Sequence, residues 1–394
     1  MANHQKGLEE CSLLMDGVSR YVYPAETSPH IATILGFPSR YSIAEEYYEA
    51  ACNEIAHLAA AISEFEPVRL FCRPEDVDKA QAMVDKTIQE SFGNTSHIFA
   101  VPFLTNHLWV RDTGPVYVRG TDENNRRQRL AIDFRFSEWG KRKKIADHIR
   151  AADGLHWPIM EPHQLEENST FAKRMIDWDI LPSPVVRIDS KISLEGGALV
   201  IDGEGTLLAT ESSIIGEPRN PGISIEEIES ELSRLLGVEK IIWFPGKKDL
   251  DVTDVHVDAE VNFIRPGVVI ISQPHPSAPG PWFEVYKEIR RTLEMSTDAK
   301  GRPFELYTLS EPDPRSLGPL SYEEPATNYV NFYFVNGGVI VPQFGDVLRD
   351  RDAVELFRKL CPERVIRPVH VPTLALAGGV IHCATQPVIS PAAE

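Results

Sequence analysis

The feature that most constrains this chain is a recurring pattern of strand, tight turn, strand and helix. A hairpin around "DGEG" precedes the helix "SIEEIESELSRLLG", one around "RPG" precedes "WFEVYKEIRRTLEM", and one around "NGG" precedes "DRDAVELFRKL". Successive hairpins lie roughly 60 to 70 residues apart, which is longer than the common solenoid or propeller-blade repeats of about 20 to 50 residues. The pattern predicts an α/β fold of four or five pseudo-symmetric units. Because no linker interrupts it, we expect a single domain over residues 22–394 and an N-terminal tail at 1–21.

Other segments carry local expectations. The segment "SIAEEYYEAACNEIAHLAAAISEF" is predicted as a helix capped by Ser42, because a glutamate follows three positions later. The segments "NHLWVRDTGPVYVRG", "DVTDVHVDAEVNF" and "VIHCATQP" are predicted as strands. Alternation along a strand would place His256 on the same face as Asp254 and Asp258. The same alternation would point the side chain of Cys383 away from that of His382.

Charge and composition argue against several classes of function. The formal net charge of the 394 residues is −18, which disfavours nucleic acid or an anionic membrane surface as the main partner. No window approaches the apolar run of a membrane span, and the first residues lack the features of a secretory signal. The five cysteines include no C-x-x-C pair, which suits free thiols in a reducing compartment. We therefore expect a cytoplasmic protein.

Five candidate residues stand beside glycines or at strand ends, where rigid folds display reactive groups. They are Asp112, Glu195, His256, Asp258 and Cys383. Structural explanations also exist, because Asp112 would cap a turn and Cys383 would fill an apolar site. As functional groups they fit either a transition-metal site of His256, Asp258 and Cys383, or a Cys383 nucleophile with His256 as its proton partner. No further ligand stands at a spacing such as H-x-x-x-H, so the residues favour the thiol.

The chain resembles the agmatine deiminases, also called the bacterial-type peptidylarginine deiminase family, of the guanidine-modifying superfamily. The resemblance covers about residue 22 to the C-terminus and rests on six segments in the family's order: "PAETSPHIATILGFP", "WVRDTGPVYV", "LEGGALVIDGEGTLLATE", "VTDVHVDAEVNFIRPGVV", "YVNFYFVNGGVIVPQFGD" and "AGGVIHCATQ". It implies a pentein fold, an α/β-propeller of five ββαβ units around a central active-site channel. That expectation agrees with the recurring pattern.

The resemblance also implies a role for each candidate residue. Cys383 matches the family's nucleophile, His256 its general acid and base, and Glu195, Asp112 and Asp258 the carboxylates that hold the guanidinium. The implied reaction converts agmatine and water into N-carbamoylputrescine and ammonia, a step of putrescine synthesis that needs neither a metal nor an organic cofactor. Free or peptidyl arginine, another guanidino compound, or guanidinium binding without catalysis remain alternatives.

Further expectations concern Trp109, Arg111 and the oligomeric state. Trp109 is expected either to stack on the small cationic guanidino substrate or to pack in the interior. Arg111 is expected to pair with a carboxylate. Family resemblance further suggests a homodimer.

Several positions depart from the family's motifs. They are Asn106, His107 and Leu108, which replace acidic and small polar residues, and Val200, Val255 and Val380, which replace a histidine, a glycine and a polar residue. These replacements are expected to make the channel more apolar. They concern the substrate more than the chemistry, and the sequence does not indicate which residue holds the amine end of agmatine.

Overall fold

The structure is a computed structural model that describes residues 18–91, 97–122, 127–146, 160–179, 185–317 and 325–391. The strands in these ranges are β1 (Val18–Val22), β2 (His30–Gly36), β3 (Val68–Cys72), β4 (Ile98–Pro102), β5 (Val116–Asp122), β6 (Arg127–Asp133), β7 (Val185–Asp189), β8 (Val200–Ile201), β9 (Thr206–Thr210), β10 (Lys240–Phe244), β11 (Val261–Arg265), β12 (Val268–Gln273), β13 (Glu305–Ser310), β14 (Tyr333–Val335), β15 (Gly338–Gln343), β16 (Val365–His370) and β17 (Thr385–Ile389). The α-helices are α1 (Glu45–Ser63), α2 (Val77–Ser91), α3 (Val110–Thr113), α4 (Arg142–Ala146), α5 (Pro162–Ser169), α6 (Phe171–Trp178), α7 (Glu211–Ile214), α8 (Ile225–Leu236), α9 (Gly280–Glu294), α10 (Val347–Leu360), α11 (Pro372–Leu376) and α12 (Ile381–Ala384).

The strands of the described residues form five small sheets instead of one continuous sheet. Their orders are β1-β5-β6-β7, β10-β9-β8, β11-β12-β13, β14-β15-β16 and β17-β2-β3-β4. Each sheet contains an antiparallel pair, and the second strand of that pair also has a parallel neighbour reached through one or more helices. The fold is therefore a mixed α/β fold in which one connectivity recurs. The predicted hairpins around "DGEG", "RPG" and "NGG" are confirmed as β8-β9, β11-β12 and β14-β15.

The fifth sheet joins the two ends of the described chain. β17 pairs antiparallel with β2, so that Gln386 lies opposite Ile34. β2 pairs parallel with β3 after the chain crosses through α1. In the first sheet, the edge strand β1 begins at Val18, inside the predicted tail, and pairs with β5. Residues 1–17 of that predicted tail lie outside the described residues.

Helix starts follow the capping rules in one case and depart from them in another. Before α8, the hydroxyl of Ser224 accepts the backbone N–H of Glu227, whose side chain returns to the Ser224 N–H. The predicted cap Ser42 of α1 is wrong, because that helix begins three residues later. The Ser42 hydroxyl instead donates to the carbonyl of Asn106 at 2.5 Å.

Three segments predicted as strands contain single helical turns. Asp112 lies in α3, directly before β5, and Cys383 lies in α12, directly before β17. His256 and Asp258 lie at the 3₁₀ turn Val257–Ala259 before β11. Side chains on a helical turn do not alternate as they do on a strand, so the strand prediction is wrong for these residues. In particular, His382 and Cys383 do not point apart, because both contact Oδ2 of Asp258.

None of the helices in the described ranges combines the length and apolar character needed to cross a membrane.

Candidate active site

The predicted site residues meet where the first strand of each antiparallel pair begins. Each of these strands follows a short turn: α3 before β5, Gly196–Ala198 before β8, Val257–Ala259 before β11, 329–331 before β14 and α12 before β17. α3 packs against α12 and Gly196–Ala198, and Gly196–Ala198 packs against Val257–Ala259. Asn331 completes the set, because its side chain donates to the carbonyl of Asp258 (3.3 Å) and accepts the backbone N–H of Cys383 (3.2 Å). The five turns thus form a closed cycle of contacts.

Asp112 is held through both of its carboxylate oxygens. The indole N–H of Trp139 donates to Oδ2 at 2.8 Å, and the backbone N–H of Gly197 donates to Oδ1 at 3.0 Å. Nδ1 of His256 lies 3.7 Å from the same Oδ1. Burial raises the pKa of Asp112 above its usual value, although the nearby His256 opposes this.

Glu195 connects His256 to a buried arginine. Its Oε2 lies 3.1 Å from Nε2 of His256, and Nε of Arg219 donates to both carboxylate oxygens at 3.1 and 2.9 Å. Although burial acts in the opposite direction, Arg219 and His256 lower the pKa of Glu195. Arg219 also donates to Asp254 at 2.8 Å, and Lys141 donates to Asp254 at 3.0 Å. Asp254, predicted to share a face with His256, therefore belongs to an ion-pair network behind Glu195.

His256 is buried between two carboxylates. Burial alone lowers the pKa of an imidazole, but the charges of Asp112, Glu195 and Asp258 raise the pKa of His256 to about 9. The side chain is consequently an imidazolium at neutral pH. Such a group can give a proton to a leaving amine and afterwards accept one from water.

The backbone before His256 adopts the left-handed conformation at two consecutive residues. Asp254 and Val255 have φ angles of 62° and 69°, and such a conformation costs of the order of 1–3 kcal/mol, most for a β-branched residue. Val255 replaces the glycine expected from the family's motif, yet its backbone adopts a conformation that glycine reaches without strain. Thr210 and Ser212 hold this backbone by donating to the carbonyls of Val255 and Asp254, each at 2.6 Å.

Asp258 lies between a histidine and the candidate nucleophile. Its Oδ2 is 2.7 Å from Nδ1 of His382 and 3.8 Å from Sγ of Cys383. Its Oδ1 is buried and accepts no hydrogen bond from the part of the chain that the structure describes. A buried carboxylate oxygen without a donor is unfavourable, and an N–H group of a bound cation would satisfy it.

His382 links Asp258 to a second carboxylate. Its Nε2 lies 3.1 Å from Oε1 of Glu26, which also accepts from Nη2 of Arg111 at 2.6 Å. Burial opposes ionisation, but His382 and Arg111 lower the pKa of Glu26 to about 2. The pairing expected for Arg111 is confirmed. His382 therefore holds Asp258 by bridging it to Glu26.

Cys383 presents a half-buried thiol on the turn α12. The side-chain amide of Asn331 donates to its Sγ at 3.3 Å. Burial and the charges of Asp258 and Asp112 raise the pKa of the Cys383 thiol well above its ordinary value. Three other cysteines in the described ranges are fully buried in the largest apolar cluster: Cys52, Cys72 and Cys361. They serve as packing, whereas Cys383 faces ionisable groups.

Gly197 marks the point on which the site converges. A Cβ atom at this position would lie 2.6 Å from Nδ1 of His256, 2.9 Å from Oδ1 of Asp112 and 3.2 Å from Oδ2 of Asp258. Only glycine leaves this space open, so a ligand can approach the backbone closely here.

Trp109 packs in the interior beside the site. Its ring would lie 2.7 Å from a Cβ atom at Gly379, and it is buried in the same apolar cluster as Leu108 and Val380. Contact of Trp109 with a substrate stays a prediction.

The positions that depart from the family's motifs are mostly buried contacts. Asn106, Leu108 and Val380 are fully buried, and the side-chain amide of Asn106 donates to Glu167 and Asn168. The more apolar channel expected from these replacements stays a prediction. His107 lies 2.8 Å from Glu138 and meets the ring of Trp139 edge to face at 5.1 Å, which supports the indole bonded to Asp112.

Metal binding receives no support from the geometry of the described residues, where no group of three or more His, Cys, Asp or Glu side chains is arranged to hold a metal ion. His256 is directed at two carboxylates, and Cys383 contacts Asp258 and Asn331.

Comparison with known proteins identifies the family. The model of the Porphyromonas-type peptidyl-arginine deiminase family matches residues 22–388. The chain belongs to this family. An agmatine deiminase of Medicago truncatula is 32% identical over 389 residues, which cover 92% of this chain and 95% of that protein. The solved agmatine deiminase of Enterococcus faecalis has a TM-score of 0.75 at 26% identity, covering 94% of this chain and 96% of that one. The agmatine deiminase of C. jejuni, 21% identical, shares the fold with a TM-score of 0.70 over 94% and 96% of the two chains.

In this member of the Porphyromonas-type peptidyl-arginine deiminase family, sequence reasoning missed four residues that shape the site. Glu26 and Asn331 lie inside the segments "PAETSPH" and "YVNFYF" that carry the resemblance, so a signal for them existed. Trp139 and Arg219 lie outside all such segments and reach the site only through the fold.

Proposed function

We propose that this protein is an agmatine deiminase, which hydrolyses agmatine to N-carbamoylputrescine and ammonia through a thiouronium intermediate on Cys383. The observation that carries the proposal is the convergence of Asp112, Asp258 and His256 on the space beside Gly197, with the thiol 3.8 Å from Asp258. The agmatine deiminases among its relatives support the substrate. N-carbamoylputrescine is a precursor of putrescine, so the reaction would serve polyamine synthesis.

Substrate binding is the first task of the carboxylates. A guanidinium is a planar cation with N–H donors on three nitrogens, and paired carboxylates bind it bidentately. Asp112 and Asp258 face the space beside Gly197, and the buried Oδ1 of Asp258 is an acceptor that such a donor would fill. A guanidinium held there has its central carbon fixed next to Cys383.

Binding also activates the nucleophile. Burial and the negative charges of Asp258 and Asp112 keep the pKa of the Cys383 thiol high, and a cation bound among those charges lowers it. The thiol proton leaves to solvent as the cation binds. The thiolate then attacks the guanidinium carbon, forming a C–S bond and a tetrahedral adduct.

His256 handles the protons of the two remaining steps. Its imidazolium, with a pKa of about 9, donates a proton to the leaving nitrogen, so the C–N bond breaks and ammonia departs. The product of this step is the S-alkylthiouronium on Cys383. The neutral imidazole then takes a proton from water, and the resulting hydroxide adds to the same carbon. The C–S bond breaks and the hydroxyl proton passes to the departing sulfur, which gives the ureido product and the free thiol. Glu195 and Asp112 stabilise the imidazolium.

The architecture implied by the family is proposed with the function. A pentein propeller of five ββαβ units around a central channel, formed by one domain over residues 22–394, is supported by the recurring connectivity and by the closed cycle of five turns. A cytoplasmic location and a homodimeric state belong to the same proposal. Cell fractionation and light scattering test them.

The function is tested by measuring ureido product and ammonia with agmatine, free arginine and an arginyl peptide. Wild type is expected to turn over agmatine best, Cys383→Ala to be inactive, and the buried-cysteine control Cys361→Ala to retain activity. Turnover of arginine in place of agmatine would contradict the substrate. Equal turnover by wild type and Cys383→Ala would contradict the mechanism.

A further inference from the structure

Two acidic side chains beside the site have no part in the chemistry above. Glu260 directly follows the turn that carries Asp258, and Glu311 directly follows β13. The backbone N–H of Ser272 on β12 donates to the carbonyl of Glu260 at 2.8 Å, and the N–H of Glu311 donates to the carbonyl of Gln273 at 2.9 Å. The two acids therefore flank the same end of β12.

Backbone pairing places both acids beside Ser272 of β12. The pairing of β11 with β12, extended by one residue, sets Glu260 opposite Ser272, and the pairing of β12 with β13 sets Ser272 opposite Leu309, two residues before Glu311. Leu309 and Glu311 are two residues apart and share a face with Ser272, whereas Glu260 ends the preceding 3₁₀ turn with a helical backbone (φ −109°, ψ −38°). The hydroxyl of Ser272 accordingly donates to Oε1 of Glu311 at 3.0 Å.

The strand that follows Glu260 contacts the segment next to the nucleophile. Asn262, two residues after Glu260, donates its side-chain amide to the carbonyl of Val330 at 3.4 Å. Val330 precedes Asn331, which bonds to Cys383. Glu260 thus follows Asp258 by two residues and directly precedes a strand that contacts the segment carrying Asn331.

Glu260 is the unusual member of the pair. It is 5% exposed, yet its carboxyl group has no hydrogen bond or ion pair with any residue in the described ranges, and Glu311 likewise forms no ion pair there. Burial and the charges of Glu311, Asp251 and Asp258 raise the pKa of Glu260 well above its usual value. Burial raises the pKa of Glu311 to about 7. A buried carboxyl surrounded by other acids is unfavourable, and a positive charge placed between them relieves this.

We propose that Glu260 and Glu311 bind the ammonium group at the far end of agmatine while Asp112 and Asp258 hold its guanidinium. This inference rests on the proposed function and names the residues that set its substrate class. An ammonium carries three N–H donors, enough to bond both carboxylates at once. A guanidine with a carboxylate at that end is repelled by the same two groups, so the pair selects amine-terminated guanidines over arginine.

The test compares two substrates of equal length. Agmatine and n-butylguanidine share the guanidinium and the aliphatic chain, but n-butylguanidine lacks the ammonium. Loss of a charge-assisted hydrogen bond in Glu260→Gln or Glu311→Gln is expected to lower kcat/KM for agmatine roughly tenfold to a hundredfold. The kcat/KM for n-butylguanidine is expected to stay unchanged, which also shows that each variant is folded.

The control is Glu305→Gln, an exposed acid at the far end of β13, which is expected to change neither value. An unchanged ratio of agmatine to n-butylguanidine turnover in both site variants, whether the two rates fall together or not at all, would overturn the ammonium site. If wild type converts neither guanidine, the proposed function itself fails, and the ammonium site fails with it.

Discussion

The space beside Gly197 is the residue-scale feature on which substrate binding depends. A Cβ atom there meets the side chains of His256, Asp112 and Asp258 at 2.6 to 3.2 Å, distances at which something must move. Those three side chains are themselves held by Trp139, Glu195 and His382, so they have little freedom to yield. The glycine is therefore required by the site and not by a turn.

We expect Gly197→Ala to lower kcat/KM for agmatine by about a hundredfold or more, because displacement of reacting groups by about 1 Å has effects of that size. Steady-state kinetics and the melting temperature would be measured together. Gly280→Ala is the matched control, since a Cβ atom at Gly280 meets nothing within 4 Å. Full activity of Gly197→Ala would contradict the proposed position of the guanidinium.

His256 makes the stability of the fold depend on pH. Its pKa in the folded protein, about 9, lies above the ordinary value of 6.5. The folded state thus keeps a proton that the unfolded chain releases, so this contribution is complete below pH 6.5 and is lost as the pH rises toward 9.

The free energy of unfolding of wild type is expected to fall across this window by up to about 3 kcal/mol more than that of His256→Asn. Urea unfolding at several pH values measures the difference. Parallel curves for the two proteins would show that His256 is not an imidazolium in the folded state.

Single helical turns that precede strand pairs are the structural elements that carry the site residues. Asp112 and Cys383 lie in such turns, Asp258 lies in another, and Glu195 directly precedes one. Each turn packs on its neighbours, so residues from distant parts of the sequence meet without a shared strand or helix. The hairpins fix the turns, and the turns fix the side chains.

The ion-pair network behind Glu195 connects two of these turns. Arg219 bonds to Glu195 and Asp254, and its side chain is 1% exposed. Arg219→Gln leaves buried carboxylates without their cation, which is expected to cost about 3 kcal/mol or more of stability and to lower turnover. Arg290→Gln, which removes an exposed helix pair with Glu294, is the control and is expected to change the melting temperature little. Equal melting temperatures for the two variants would contradict a supporting role for Arg219.

The sequence predicted the hairpins and long helices of this fold but not its helical turns. A hairpin carries a turn signal such as "NGG", and α8 carries both a capping box and helical periodicity. A turn of four residues, such as α3 or α12, is too short to show any period, and in α12 strand alternation predicts the wrong orientation for Cys383.

Local sequence motifs predicted only some of the residues of the candidate site. Asp112 and Cys383 stand in recognisable segments, and the structure brings them together. Trp139 is separated from Asp112 by 27 positions and Arg219 from Glu195 by 24. Their contacts arise from chain crossovers, which leave no local pattern in a single sequence.

The whole molecule depends on the pairing of its two ends. β17, which follows Cys383 directly, completes the sheet that β2 and β3 begin. A chain that ends at Ala384 loses this strand and exposes the backbone of β2, so we expect it to lose the cooperative thermal transition seen by circular dichroism. A sharp transition at the wild-type temperature would show that β17 is dispensable.

The central claim is that Cys383 forms a covalent bond with the guanidinium carbon of agmatine. The most direct test is to mix wild type with excess agmatine, quench in acid within the first turnovers, and map modified peptides by mass spectrometry. We expect the peptide that contains Cys383 to gain the mass of agmatine less ammonia, and no such gain in Cys383→Ala. Turnover of agmatine without this adduct, at a rate that Cys383→Ala retains, would contradict the account.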